Sequence, residues 1–328
     1  MLFHHICESL HLGTPLSAPV PLHGGYTHRM YSLLTDCGHY AIKLLNPEIM
    51  QRTDALENYH QAETFEARLE QASPLCQSHL LPARLINGRK LHCIDGQYVY
   101  IFDYFDGKVL PEDCITPLHC EQMGCMLSAI HAIDHRELTG EPDHPEPINW
   151  HALADALLAD EEAHTDGLAL RSAIPMLVRV TAAAESAALQ LPRVQTICHN
   201  DMDAKNVLWQ GRDYRIIDLE CLGWGDPVQE LLDLAVSWGG WPLEEARFKS
   251  FIRGYCSAGA ALPGALSLHY DSRRNHIDWL AYNASRALSG DPAERTVGRS
   301  QIGETIAKIE SDQQNRTLVL QWLSELQP

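Results

Sequence analysis

The stretch ICHNDMDAKNVLWQGRDYRIIDLE, residues 197–220, narrows the possible folds more than any other part of the chain. It reads as a loop, a short strand in VLW, a turn at GRD and a second strand in YRII, inside a half of the chain that is otherwise helical. The loop sets out His199, Asp201 and Asn206 in order, and Asp218 follows the second strand. A bland surface loop has no use for an aspartate and an asparagine at a fixed offset. The pair has a use where carboxylate and amide oxygens converge on a metal ion or a proton.

Ahead of this stretch the pattern is β-rich. HRMYSLLT and HYAIKLL predict a hairpin with its turn at DCG and a glycine pair, Gly24 and Gly25, at its entrance. Between Asp54 and Ala72 the apolar residues Leu56, Tyr59, Ala62, Phe65 and Leu69 recur at three and four, predicting an amphipathic helix with Glu63 and Glu66 on adjacent faces. RKLHCIDGQYVYIFDYF returns to strand character around a turn at DGQ. Beyond DGKVL, at 106–110, the periodicity turns helical over 117–135, 149–163, 172–190, 229–237, 243–257 and 275–287. GEPDHPEPIN is a proline-rich loop, and the polar ALSGDPAERTVGRS reads as a surface connection. The fold class is therefore α+β, with a small β-rich part over 1–105 and a larger, mainly helical part over 106–328.

The chain has 328 residues, of which 45% are hydrophobic, ample for a packed core. Its 43 acidic and 25 basic residues leave a formal charge of −18, which argues against a nucleic-acid surface. Such acidity commonly serves solubility, and it also suits a cationic small molecule. The acidic run ADEEAHTD, 159–166, reads first as a solvated helix face and second as an attractor for an amine. None of the ten cysteines forms a CxxC pair, and those from Cys114 to Cys125 lie on an amphipathic pattern as packed thiols. Free thiols and an N-terminus without a basic region predict a cytoplasmic protein. No run was expected to be long enough to span a bilayer.

Phosphoryl transfer needs a proton acceptor beside the attacking hydroxyl, oxygen ligands for Mg²⁺, a cation on the phosphates and close backbone approach to them. Asp201 suits the first role, Asn206 and Asp218 the second, Lys43 the third, and Gly24 with Gly25 the fourth. A glutamate on the following helix would fix the lysine.

These motifs resemble the aminoglycoside phosphotransferase and choline kinase family, whose fold is bilobal and protein-kinase-like. The likeness rests on HNDMDAKN (H-x-D-x4-N), IIDLECLGWGDP, YAIK, the GG loop and MLSAIHAID, and it covers about residues 20–240. The resemblance implies that Asp201 is the catalytic base, Asn206 and Asp218 are the magnesium ligands with Glu220 behind them, and His199 orients the loop. It implies that Gly24, Gly25, Thr27, His28 and Lys43 hold the phosphates of ATP or GTP. It also implies that Glu63, favoured over Glu66 by helix register, pairs with Lys43. YIFDYFDG resembles a hinge in which the Asp103 carbonyl and Phe105 amide meet the nucleobase, with Phe102 at the gate. GGYTHRMY lacks the third glycine of protein kinases, and Asp203 stands where they carry lysine, so a protein substrate is the poorer reading. The expected acceptor is a small molecule with a hydroxyl, an aminoglycoside or other cationic compound first. A metabolite such as choline, ethanolamine, homoserine, thiamine or a sugar comes second, and neither nucleic acid nor a membrane is an expected partner. A catalytically silent nucleotide-binding module would show loss of the lysine, the base or the metal aspartate, and all three are present.

Overall fold

The computed structural model describes residues 1–22, 28–134, 147–257 and 259–327. The chain packs as two compact units, Met1–Ile115 with Ala129–Thr139 and Thr196–Gly223, and Thr116–Ser128 with Gly140–Gln195 and Trp224–Pro328. The first unit holds the β-rich part together with the HNDMDAKN loop.

In the first unit, helix α1 (Leu2–Ser9) precedes strands β1 (Val20–Leu22), β2 (Arg29–Leu34) and β3 (His39–Leu44). Helices α2 (Pro47–Met50), α3 (Ala55–Ala72) and α4 (Pro74–His79) follow, then β4 (His92–Ile94) and β5 (Gln97–Asp103). The five strands form one antiparallel sheet in the order β1-β2-β3-β5-β4. Both predicted turns are present. At DCG the Thr35 hydroxyl accepts from the Cys37 and Gly38 amides at 3.1 and 3.2 Å. At DGQ, Asp95 and Gly96 both take positive φ, 51° and 79°, as a two-residue hairpin turn requires.

Strand β3 is central and nearly all buried, so its period of two sorts its side chains between the sheet's faces. Tyr40, Ile42 and Leu44 pack with Ile6, Leu10, Leu33, Val99 and Ile101, while Ala41 and Lys43 point the other way. In α3 the buried stripe is Ala55, Tyr59, Ala62, Phe65, Glu66 and Leu69; the expected Leu56 is exposed and Ala55 takes its place. Strand β6 (Thr196–Cys198) leads into the HNDMDAKN loop, and β7 (Val207–Gln210) pairs antiparallel with β8 (Asp213–Ile216) across the turn at Gly211.

Helices α5 (Pro117–His131), α6 (Trp150–Ala159), α7 (His164–Ala188), α8 (Pro227–Gly239), α9 (Glu245–Ser257), α10 (Leu266–Asp271), α11 (Asn275–Arg286) and α12 (Pro292–Leu326) make up the rest. Three expectations need correction. Helix α7 begins eight residues before the predicted 172 and runs through Pro175. By length and composition α7 is also apolar enough to cross a bilayer, contrary to the reading above; its Leu170, Ile174, Leu177, Val180 and Ala184 lie in the helical core. Most of ALSGDPAERTVGRS is the start of α12 rather than a surface connection. Asp291 caps that helix, accepting from the Ala293 amide at 2.7 Å, with Pro292 at its first position. Its polar residues have partners: Glu294 binds Arg286, Arg295 binds Asp160, and Arg299 binds Asp166. A Cβ on Gly298 would come within 2.5 Å of the Ala287 amide nitrogen, so glycine lets α12 lie against the end of α11.

Candidate active site

Within the first unit, β3, the HNDMDAKN loop and the turn after β8 bring their polar side chains to one cleft of about 410 Å³. Lys43, on the face of β3 opposite the apolar core, is only 6% exposed. Its ammonium lies 2.5 Å from Asp218 Oδ1 and also pairs with Glu220. Burial works against its charge, but the carboxylates of Glu220 and Asp218 overcome burial and hold its pKa above the ordinary lysine value. Burial works equally against Asp218, and there the Lys43 charge wins, holding that carboxyl below the usual range. For Glu220, more deeply buried and beside the Asp218 charge, burial wins and its pKa rises.

Asp218 takes φ 66° and ψ 51°, the left-handed region that few residues other than glycine adopt. Strain of that kind concentrates at working sites because the surroundings must enforce it. Here the enforcing contacts include the Lys43 pair and the Ile217 amide donating to the Asn206 carbonyl at 2.9 Å.

The loop itself is wired inward. His199 is fully buried, and its Nδ1 accepts from the Asp201 amide at 3.4 Å. Asn206 Nδ2 donates at 2.8 Å to both the carbonyl and the Oδ2 of Asp201. The side-chain nitrogen being so committed, Oδ1 of the Asn206 side chain is the atom left to hold a cation. Lys205 Nζ donates to Asp201 Oδ1 at 2.7 Å. Burial pushes the Asp201 pKa above the usual aspartate value against the pull of Lys205. Asn200, also at positive φ, donates from Nδ2 to the Cys221 carbonyl at 2.9 Å and so ties this loop to the turn that carries Asp218 and Glu220.

The other expected residues fall as follows. Gly24, Gly25 and Thr27 lie outside the described residues. His28 lines the cleft; its Nδ1 accepts from the Asn46 amide at 3.0 Å and its Nε2 meets Tyr59 Oη at 3.2 Å. Burial, assisted by Lys43, lowers its pKa to about 3, so it is neutral. Asp103, Phe105 and Phe102 also line the cleft, and the Asp103 carboxylate pairs with Arg84. Neither Glu63 nor Glu66 of α3 meets Lys43, which corrects the expected Glu63 pair. Glu63 Oε1 accepts from Tyr100 Oη and the Leu91 amide, both at 3.0 Å, and Glu66 pairs with Lys90 at 3.1 Å. The reason is reach: Asp218 and Glu220 already flank the ammonium, while Tyr100, opposite Lys43 in the sheet, occupies Glu63. Sequence reading missed Lys205 and Asn200. The first left a signal, since it stands one turn beyond Asp201; the second left only the tolerance of asparagine for positive φ.

Two lysines, Lys43 and Lys205, here face four carboxylates, Asp201, Asp203, Asp218 and Glu220. The hard oxygen donors of Asp218 and Asn206 beside that negative excess fit a divalent ion such as Mg²⁺ or Ca²⁺. Oxygen donors for a cation and a buried lysine in one cleft, with a further carboxylate bound to its lining residues, constitute equipment for phosphoryl transfer.

Residues 19–268 match the model of the family described as the phosphotransferase enzyme family. A search of curated protein sequences finds no significant match. Among solved structures, the fold is similar to that of a spectinomycin phosphotransferase in complex with ADP and spectinomycin, at 14% identity and a TM-score of 0.71 over 95% of this chain and 98% of that one. An amicoumacin kinase in complex with AMP-PNP and Ca²⁺ aligns at 12% identity and a TM-score of 0.63, over 94% of this chain and 92% of the other. A choline/ethanolamine kinase family protein from Mesorhizobium loti aligns at 17% identity and 0.61, covering 97% and 98%.

Proposed function

The chain belongs to the phosphotransferase enzyme family, and from that premise we propose that it transfers the γ-phosphoryl of ATP or GTP to a hydroxyl of an amine-bearing small molecule, an aminoglycoside-like compound first. The observation that carries this reading is that Lys43, Asn206 and Asp218 line one cleft, with Asp201 bound to its lining residues Asn206 and Lys205. Asp201 orients the acceptor hydroxyl and takes its proton. Asn206 and Asp218 would hold Mg²⁺, which supplies charge neutralisation at the phosphates. Lys43, whose pair with Asp218 keeps it charged, reaches the α- and β-phosphates. Asp103 and Phe105 offer backbone groups to the base, and Gly24, Gly25, Thr27 and His28 serve as phosphate-binding residues. In this reading residues 1–105 serve the nucleotide and 106–328 the acceptor.

Two facts support an amine on the acceptor. The formal charge is −18, and both spectinomycin and ethanolamine, named for two of the similar structures, carry an amine beside a hydroxyl. All ten cysteines are free thiols, which suits a cytoplasmic protein, and an aminoglycoside acceptor would make the enzyme a resistance factor.

The test is incubation with Mg²⁺ and ATP or GTP against aminoglycosides, amino alcohols, nucleosides and sugars, reading one added phosphoryl group by mass spectrometry. Aminoglycoside phosphorylation that is lost in Asp201→Asn supports the proposal. A product confined to choline, homoserine or a sugar keeps the mechanism and replaces the acceptor. An Asp201→Asn protein as fast as the parent removes Asp201 from its role.

A further inference from the structure

Lys205 has no part in the scheme above, although it lines the cleft and pairs with the proposed base. Lys205 lies in the single turn Ala204–Asn206, with Nζ 2.7 Å from Asp201 Oδ1 and 3.9 Å from Asp203 Oδ2. It lines the same cleft as Lys43, Asn206 and Asp218. Among the described residues the lysines lining that cleft are Lys43, Lys108 and Lys205. Lys43, only 6% exposed, is the lysine that the scheme above gives to the α- and β-phosphates. Lys108 is tied by its backbone to Trp209, in both directions at 2.9 Å, and no ion pair of its side chain joins it to the base. Lys205 differs from both. Its side chain is 42% exposed, and its ion pairs are with carboxylates of its own loop, contacts that a solvated ammonium exchanges readily.

The chemistry creates a need at that place. In the transfer the acceptor oxygen forms a bond to Pγ, the bond from Pγ to the β-phosphate oxygen breaks, and the hydroxyl proton passes to Asp201. The anionic γ-phosphoryl must therefore approach the carboxylate that serves as base, and like charges repel across a cleft with low-dielectric walls. A cation already seated on that carboxylate, on a flexible four-carbon stem, relieves the repulsion by moving from the carboxylate to a phosphoryl oxygen.

Resting on the kinase reading, we propose that Lys205 binds the transferred phosphoryl group, giving up its contact with Asp201 for a γ-phosphate oxygen. Lys205 takes no part in the covalent steps. Its effect is specific to a nucleotide that carries the γ-phosphate, which separates it from a lysine that merely stiffens the loop.

The experiment measures, by titration calorimetry with Mg²⁺, the affinities of the parent, Lys205→Met and Lys205→Arg for the β,γ-imido triphosphate and for the diphosphate, in the adenine and guanine series. The expected result is that Lys205→Met loses about tenfold in affinity for the triphosphate analogue with diphosphate affinity unchanged, and that Lys205→Arg recovers most of the difference. In turnover, Lys205→Met lowers kcat by about a hundredfold with little change in KM for the acceptor. An unchanged ratio of triphosphate to diphosphate affinity in Lys205→Met overturns the inference and leaves the kinase reading standing. A parent protein that binds neither nucleotide overturns the kinase reading and this inference with it.

Discussion

Each compact unit holds a buried cation between two carboxylates, and Lys43 and Arg273 make the comparison. In the first unit Lys43 pairs with Asp218 and Glu220. In the second, Arg273 pairs with Asp233 at 3.2 Å and Asp312 at 3.6 Å. The surroundings differ. The Arg273 guanidinium also donates from Nε to the Tyr270 carbonyl at 3.1 Å and lies 3.9 Å over the Tyr270 ring, while His276 holds Asp312 at 2.9 Å. The space beside it is about 40 Å³, little more than a water or two can use. Lys43 and its partners face a cleft some ten times larger, with Asp218 in a strained backbone conformation and two further carboxylates on the adjoining loop. A planar five-donor guanidinium held by two carboxylates, a carbonyl and a ring face beside a space of about 40 Å³ is a structural fixture, whereas a three-donor ammonium at a cleft ten times larger is one that a ligand can reach. Room beside the pair and backbone strain, more than burial of charge as such, distinguish the Lys43 cluster.

Breaking each cluster in turn should separate their roles. Asp218→Asn keeps a residue that tolerates positive φ, and it is expected to cost about a thousandfold or more in metal-dependent turnover. Its change in unfolding free energy should stay within about 1 kcal/mol. Loss of stability in step with activity would erase the contrast. Arg273→Met should do the reverse: about 3–5 kcal/mol lost in urea denaturation because Asp233 and Asp312 are left without their cation, with turnover per folded molecule preserved.

Glu66 sharpens the comparison as a buried carboxylate of α3, paired with Lys90. Burial outweighs Lys90 and pushes its pKa from 4.5 up to about 7. Between those values the folded chain binds a proton that the unfolded chain releases. Its contribution to stability is therefore complete below pH 4.5 and is lost as pH rises through 7, by up to about 3 kcal/mol. Glu66→Gln should flatten that part of the stability profile, and a profile identical to the parent's would show that Lys90 neutralises the buried charge fully. The smallest effect is expected from Glu63→Gln, about 1 kcal/mol of stability through the altered bond to Tyr100 and less than about a threefold change in nucleotide affinity. A tenfold weaker nucleotide in this variant would restore the Lys43–Glu63 pair to the nucleotide-bound state.

Much of this was legible in the chain because the signals were local. Alternation in HRMYSLLT and HYAIKLL, with DCG and DGQ as turns, implied the hairpins, and the three-and-four spacing of Tyr59, Ala62, Phe65 and Leu69 implied α3. Helix α12 was missed at its start because two of its stabilising partners, Asp160 and Asp166, are remote in sequence, which makes a polar stretch look like a connection. The Lys43 pairing was misassigned for the same kind of reason. Helix register orders Glu63 and Glu66 along one element, but it carries no information on whether a carboxylate 175 residues away arrives first.

The sequence by itself determined which chemistry the cleft can hold, since the order of Asp201, Asn206 and Asp218 around a two-stranded turn is a property of neighbouring residues and short-range backbone preference. Only the tertiary structure decided which charges meet: Lys43 with Asp218 and Glu220, Lys205 with Asp201, Arg273 with Asp233 and Asp312. Ion pairing depends on distance in space and on the dielectric around it, and both come into being when distant segments pack.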